Sequence, residues 1–196
     1  SYSNEQKQLS GDRVGISKKP EIKAWSGPFI MATANTRVVR RSEALLALRQ
    51  ESYGSNFTYQ EHAYHKSWLS AVSSLLLTGL SVLVLLSPLK RLVKPFLPKP
   101  GEGPSEAVQE NGWFDCKFIA ESEDGTKSVF NMHGKGDPGY KVTSKLVSEC
   151  ALCLIEDIEE LPGGRGYGGV LTSASGLGHS LISRLTKAGI DFNGPL

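Results

Sequence analysis

The chain has 196 residues, 39% hydrophobic and 21% charged, with 21 Gly and 10 Pro. This composition suits a folded core and excludes wholesale disorder or a fibrous repeat. A formal charge of +2 gives no footing for nucleic-acid binding, and three cysteines are too few, and of the wrong parity, for a disulfide-stapled secreted scaffold. The average hides an asymmetry. Residues 1–66 carry ten Lys/Arg against six Asp/Glu, and Lys90, Arg91, Lys94 and Lys99 follow as a basic hinge. Residues 101–196 then carry eight basic against fourteen acidic side chains. The chain opens Ser1-Tyr2-Ser3 with no methionine before Met31, which reads as part of a longer product.

In chain order, residues 1–23 are polar and read as a flexible leader or loop. Ser26-Gly27-Pro28 reads as a helix start, with the helix running to about Gln50 and a break expected near Asn35. Arg37, Arg40 and Arg41 are three and four positions apart, so one helical face carries all three. Such a face could hold the phosphates of a nucleotide or of lipid headgroups, or stay a solvated basic face. After the turn-like Tyr53-Gly54-Ser55-Asn56, residues Phe57 to Tyr64 alternate as a strand would. Asn56-Phe57-Thr58 matches the glycosylation tripeptide, a pattern common by chance.

Ser67 to Leu89 is 23 residues without one Asp, Glu, Lys, Arg or His. About 20 apolar helical residues cross a hydrocarbon layer roughly 30 Å thick. Trp68 stands at the entry, where an amphipathic indole suits the headgroup level. Leu75, Leu76, Leu77, Leu80, Val82, Leu83, Val84, Leu85 and Leu86 form the apolar body, and Lys90, Arg91 and Lys94 follow at the exit, suited to anionic headgroups. Ser70, Ser73, Ser74, Thr78, Gly79 and Ser81 dilute the first half, so a segment that dips in and returns fits as well as a span. A buried core helix is the alternative, although soluble helices are seldom apolar on every face for so long. For a span, the positive-inside tendency puts the Lys90–Lys99 side in the cytoplasm.

Pro98 to Pro104 is an irregular connector that cannot continue a helix. Phe114, Cys116 and Phe118, then Asp124-Gly125, then Ser128, Phe130 and Met132 read as a hairpin. Gly136 to Tyr140 is a loop, and a helix from about Lys141 to Glu159 carries Val142, Leu146, Cys150, Leu154 and Ile158 at helical spacing. Leu161 to Gly169 is a glycine-rich loop, and Val170-Leu171-Thr172 is a short strand candidate. Ser175 can cap a last helix ending at Gly189. The expected architecture is α+β, with a mixed or antiparallel sheet and packed helices. Residues 24–66 and 101–196 form its two parts, and residues 67–100 are an apolar, membrane-associated insert with a basic, proline-containing hinge.

Several chemical-looking motifs weigh little. Gly164-Arg165-Gly166-Tyr167-Gly168-Gly169 has dinucleotide spacing, but a helix rather than a strand precedes it. Cys150 and Cys153 form a C-x-x-C in mid-helix, which reads as core rather than redox chemistry. No metal-ligand set is expected, because Cys116 and His133 are isolated candidates and His62 and His65 are only two. No Ser-His-Asp pattern is visible. Thr172 and Ser173, before the last helix, could receive a polar substrate group or anion, and Tyr140 is a further substrate-pocket candidate.

The chain resembles the C-terminal half of saccharopine dehydrogenase-like oxidoreductases, a family that includes trans-acting enoyl reductases. The resemblance is carried by Gly27-Pro28-Phe29-Ile30-Met31, Asn35 to Ser42, Tyr53-Gly54, Phe57-Thr58-Tyr59, LPKPGEGPSE (97–106), Gly112-Trp113-Phe114, GDPGY (136–140), GGVLTSASGLG (168–178) and the final ISRLTKAGIDF. It implies a preceding Rossmann half, absent from these residues, that binds NADP or NAD; this chain alone would bind no cofactor. Arg37, Arg40 and Arg41 are then candidates for cofactor or other anion contact. The resemblance further implies a lipid-like substrate and an intracellular membrane location: lipid droplet, mitochondrion or endoplasmic reticulum. Expected partners are a lipid surface, the Rossmann half or a companion chain, and a second copy; nucleic acid is not expected. The competing reading is a non-catalytic membrane-bound subunit that keeps the fold.

Overall fold

The computed structural model describes residues 15–97, 99 and 101–194. Two compact units divide the chain between Leu97 and Pro98. Among the described residues both sheets are antiparallel and three-stranded and six α-helices accompany them, an α+β arrangement.

In the first unit, β1 (Ser17–Lys19), β2 (Ala24–Gly27) and β3 (Ala63–His65) pair in that order. Part of the expected leader is therefore an edge strand, while residues 1–14 lie outside the described residues. Exposed Lys18 protects that edge, and Ser17 Oγ lies 2.8 Å from Ser26 Oγ across it. The expected helix start at Ser26-Gly27-Pro28 is corrected: Ser26 and Gly27 are strand, with Gly27 opposite Ala63. Helix α1 is Ala32–Ala47, unbroken at Asn35. Its inner face is small and polar, with Ala32, Thr36, Ser42 and Glu43 buried beside Leu46.

Phe57 to His62 is also not strand; only Ala63–His65 joins the sheet. Side chains hold this segment in place of a ladder. Glu61 accepts from Asn35 Nδ2 and from Tyr59 Oη, both at 2.9 Å. Glu43 accepts from Ser52 Oγ and from the Tyr53 N–H at 2.8 Å. Two carboxylates thus tie residues 52–61 to α1.

Helix α2 (Trp68–Leu86) is capped by Ser67, whose Oγ accepts from the Ser70 N–H at 3.2 Å. Its first turns touch β2 and β3, and Ala71 is its one buried residue. At Ser87 the backbone turns extended and ends the helix. Helix α3 (Lys90–Val93) follows, continued by a 3-10 turn over Lys94–Phe96.

The second unit opens with α4 (Glu106–Asn111) and a long hairpin, β4 (Trp113–Glu121) and β5 (Lys127–Lys135), turning at Asp124-Gly125 as its alternation predicts. Thr126 N–H donates to Asp124 Oδ1 at 2.9 Å, and the Ser122 hydroxyl donates to the same oxygen. These bonds, Ser122 first, hold the Asp124 carboxyl down at about 2. Helices α5 (Lys141–Glu156) and α6 (Ser173–Lys187) follow, and β6 (Ile190–Asn193) closes the sheet against β5, with Met132 opposite Phe192. Val142, Leu185 and Ile190 form one core with Phe114 and Met132. Cys153, Leu161 and Leu177 form a second, and Leu181 touches both. Val170-Leu171-Thr172 is not a strand, and Ser175 is not the cap: Thr172 is, with Ser175 in the third helical position of a capping box. The sheet is completed instead by the C-terminal Ile190–Asn193.

Candidate functional site

In the second unit, α5, the glycine-rich loop and the start of α6 border an open cavity of about 370 Å³. Cys150 and Leu154 line it from α5, Ile158 from the turn just beyond that helix, Tyr167 and Gly168 from the loop, and Thr172, Ser173 and Leu177 from the α6 entry. Its lining is mostly apolar with a few hydroxyls, from Tyr167, Thr172 and Ser173, the usual make-up of a small-molecule cleft. Two glycines permit the close packing around it. At Gly178, where φ is +51° and α6 kinks, a Cβ would stand 2.8 Å from Pro162 Cγ. At Gly163, φ is +82° and a Cβ would meet Tyr167 Cβ at 2.5 Å.

Of the three substrate-pocket candidates, Thr172 and Ser173 line this cavity and Tyr140 does not. The Thr172 Oγ1 accepts from the Ser175 N–H at 3.3 Å, and Ser175 Oγ accepts in return from the Thr172 N–H at 3.1 Å. Thr172 is therefore engaged in capping. Tyr140 sits at the entry to α5, half exposed, its N–H donating to Asp137 Oδ2 at 2.7 Å. Cys150, Leu154 and Ile158 were legible as helix positions but not as cavity walls. A stripe repeating every four residues drifts by about 40° per step, whereas eleven residues return within about 20°. Cys153, eleven after Val142, is accordingly in the core, while Leu154 is exposed.

Burial pushes the Cys153 thiol up to about 11, with the Asp157 carboxylate adding to the shift, and burial likewise raises Cys150. Both shifts favour the neutral thiol over the thiolate, the opposite of what a reactive C-x-x-C needs. The glycine loop does not fit a dinucleotide either. Gly164–Gly166 is a 3-10 turn after α5, and no strand–loop–helix unit surrounds it. Among the described residues, no group of three or more His, Cys, Asp or Glu side chains is placed to hold a metal ion.

A second, larger groove of about 670 Å³ runs between α5 and α6. Sequence reasoning did not single it out. At its centre Arg184 donates from Nε and from its second terminal nitrogen to Asp157, the latter bond being 3.0 Å, and also pairs with Glu156. Glu149 lies 3.7 Å from its other terminal nitrogen. The bond to Arg184 holds the Asp157 carboxyl below the usual range, and the same bonds, to Asp157 first, raise the guanidinium. Glu149, Glu156 and Asp157 fall on one face of α5 and its end, so one guanidinium fastens the two helices.

In the first unit, Arg37 and Arg41 are exposed on α1 and Arg40 is half-buried beside them. The other predicted surface is α2. Trp68, Leu75, Leu76, Leu77, Leu80, Val82, Leu83, Leu85 and Leu86 are exposed, and Val84 is half-buried. Leu76, Leu77 and Leu83 are 65–68% exposed and Leu86 is 81%. Lys90, Arg91 and Lys94 are exposed just beyond them.

The chain is a relative of oxidoreductases. It is 39% identical over 188 residues, 91% of its length, to a Mycobacterium tuberculosis protein provisionally named as a trans-acting enoyl reductase. Trans-acting enoyl reductases of Mycobacterium leprae and Mycobacterium bovis are 34% and 33% identical over 90% and 91% of the chain. The chain is thus homologous to the trans-acting enoyl reductases, at 33–39% identity, and spans 43% of the length of the curated relatives it matches. No protein-family profile and no solved structure matches it.

Proposed function

We propose that this chain is the substrate-binding and membrane-docking portion of a saccharopine dehydrogenase-like, nicotinamide-dependent reductase that acts on a lipid-like substrate at an intracellular membrane or lipid-droplet surface. Enoyl reduction adds hydride and a proton across a carbon–carbon double bond, and a reduced nicotinamide supplies the hydride. The cofactor would be held by a separate Rossmann half, because the glycine loop here lacks the surroundings a dinucleotide needs. The largely apolar cavity, with Thr172 and Ser173 in its lining, is the proposed seat for part of the substrate. Arg37, Arg40 and Arg41 are proposed to face an anion of the cofactor or the lipid.

The observation that carries the membrane reading is the exposure of α2. None of its nineteen residues is charged and its leucines and valines face every side, yet only Ala71 is buried. At about 1.5 Å per residue, this length is close to the hydrocarbon thickness of a bilayer. Its serines suit that setting. Ser73 and Ser81 hydroxyls donate to the carbonyls of Ser70 and Leu77 at 3.1 and 2.8 Å, so neither enters lipid unpaired.

Flotation of the full chain with neutral phosphatidylcholine vesicles tests the docking. The wild-type chain should rise with the vesicles, while a Leu76→Asp, Leu80→Asp, Leu83→Asp variant stays at the bottom. Equal flotation of both would remove α2 from the account. The reductase reading is tested by consumption of NADPH with an α,β-unsaturated acyl thioester when the chain is combined with the cofactor half of a relative. Turnover by that half alone, unaffected by this chain, would contradict it.

A further inference from the structure

The elbow that follows α2 has a sidedness that the long helix lacks. Ser87 breaks α2, its Oγ donating to the Val84 carbonyl at 3.0 Å and accepting from the Leu89 N–H at 3.2 Å. The chain then restarts as helix from Leu89 through α3 and the 3-10 turn to Phe96. At about 100° per helical residue, Leu89, Leu92 and Val93 fall within roughly 100° of one another. Lys90, Arg91 and Lys94 occupy the opposite side. Leu89 and Leu92 are 53% and 70% exposed, so neither face is covered within this unit. The three cations are exposed as well, and among the described residues no carboxylate lies at salt-bridge distance from their ammonium and guanidinium groups.

Resting on the membrane reading above, we propose that residues 89–97 form an interfacial foot that selects anionic lipid headgroups. Leu89, Leu92 and Val93 enter the boundary of the acyl chains, and Lys90, Arg91 and Lys94 meet phosphates at the surface. The commitment to a lipid rather than to free phosphate follows from the pairing of the two faces. A soluble anion would use the cations and leave the leucines in water, whereas a charged bilayer satisfies both at once. The foot also begins within four residues of the end of a helix that carries no charge along its length, so the cations stand where the hydrocarbon would give way to headgroups.

Vesicle partitioning of the full chain tests this. Each basic residue near an anionic surface contributes roughly fivefold to binding, so vesicles with phosphatidylglycerol should bind about a hundredfold more tightly than neutral ones. Lys90→Gln, Arg91→Gln, Lys94→Gln should lower that preference to near unity while leaving binding to neutral vesicles intact. Raising salt from about 0.05 to 0.5 M should weaken the anionic preference of the wild-type chain. Inorganic phosphate at matched ionic strength should displace nothing. Equal binding of wild type to neutral and anionic vesicles overturns the foot but leaves α2 docking standing. Displacement by inorganic phosphate also overturns it, in favour of a free-anion site. Binding to neither vesicle overturns the docking reading and the foot with it.

Discussion

Two parts of this molecule use leucine-rich helices of similar length in opposite ways. Helices α5 and α6, 16 and 15 residues long, place Val142, Cys153, Leu177 and Leu185 on faces that the sheet and each other cover. Helix α2, at 19 residues, carries more apolar side chains and buries one alanine. Where apolar residues recur on one face, the rest of the domain supplies the burial. Where they surround the helix, the short three-stranded sheet leaves them exposed. The buried interior of the first unit is correspondingly small and polar, with Ala24, Ser26, Ala32 and Thr36 among its most enclosed residues.

The sharpest way to break this contrast is to truncate a leucine on each side of it. Leu185→Ala should cost about 2–5 kcal/mol of stability in the second unit, whereas Leu83→Ala should change stability by less than about 0.5 kcal/mol. Urea unfolding followed by circular dichroism would reveal the pair of effects; a large loss at Leu83 would mean that protein, not lipid, covers α2. Overpacking should come next. A Cβ at buried Gly134 would lie 2.3 Å from the Phe114 ring and 3.1 Å from Ile190, so Gly134→Ala should destabilise by about 1–3 kcal/mol, read as a lowered melting temperature. Thr172→Ala removes the cap of α6 and should cost about 1 kcal/mol by the same melt.

The smallest expected effect is a pH dependence. Arg184 depresses the Asp157 pKa in the folded chain, so this pairing stabilises at pH values above the ordinary carboxylate pKa of about 3.9. Its contribution fades as the pH falls through the lowered folded value. Arg184→Met should therefore lower the melting temperature near neutral pH and flatten its decline below about pH 4. An unchanged acid profile would show that the α5–α6 clasp contributes nothing.

The legible parts of the fold were those with enough residues to establish a period. The β4–β5 hairpin runs nine residues on each strand around an Asp-Gly turn, and α2 is a nineteen-residue run without a charge. Strands β1 and β3 have three residues each, too few for alternation to stand out, and they hold by register rather than by pattern. Phe57 to His62 alternates without pairing, and Glu61 within it bonds instead to Asn35, distant in sequence on α1. Val170 to Thr172 had strand-forming residues, but the capping box committed Thr172 to α6. At the cavity, Thr172 and Ser173 were visible as hydroxyls before a helix. The α5 wall required knowing where the glycine loop returns, which no local pattern encodes.

Hydrogen exchange of the full chain, with and without anionic vesicles, tests the central contrast most directly. Lipid should slow exchange at the amides of 75–86 and leave those of α5 and α6 at their original rates. Amides of α2 that are fully protected without lipid, or unchanged on adding it, would contradict the assignment of this helix to a membrane.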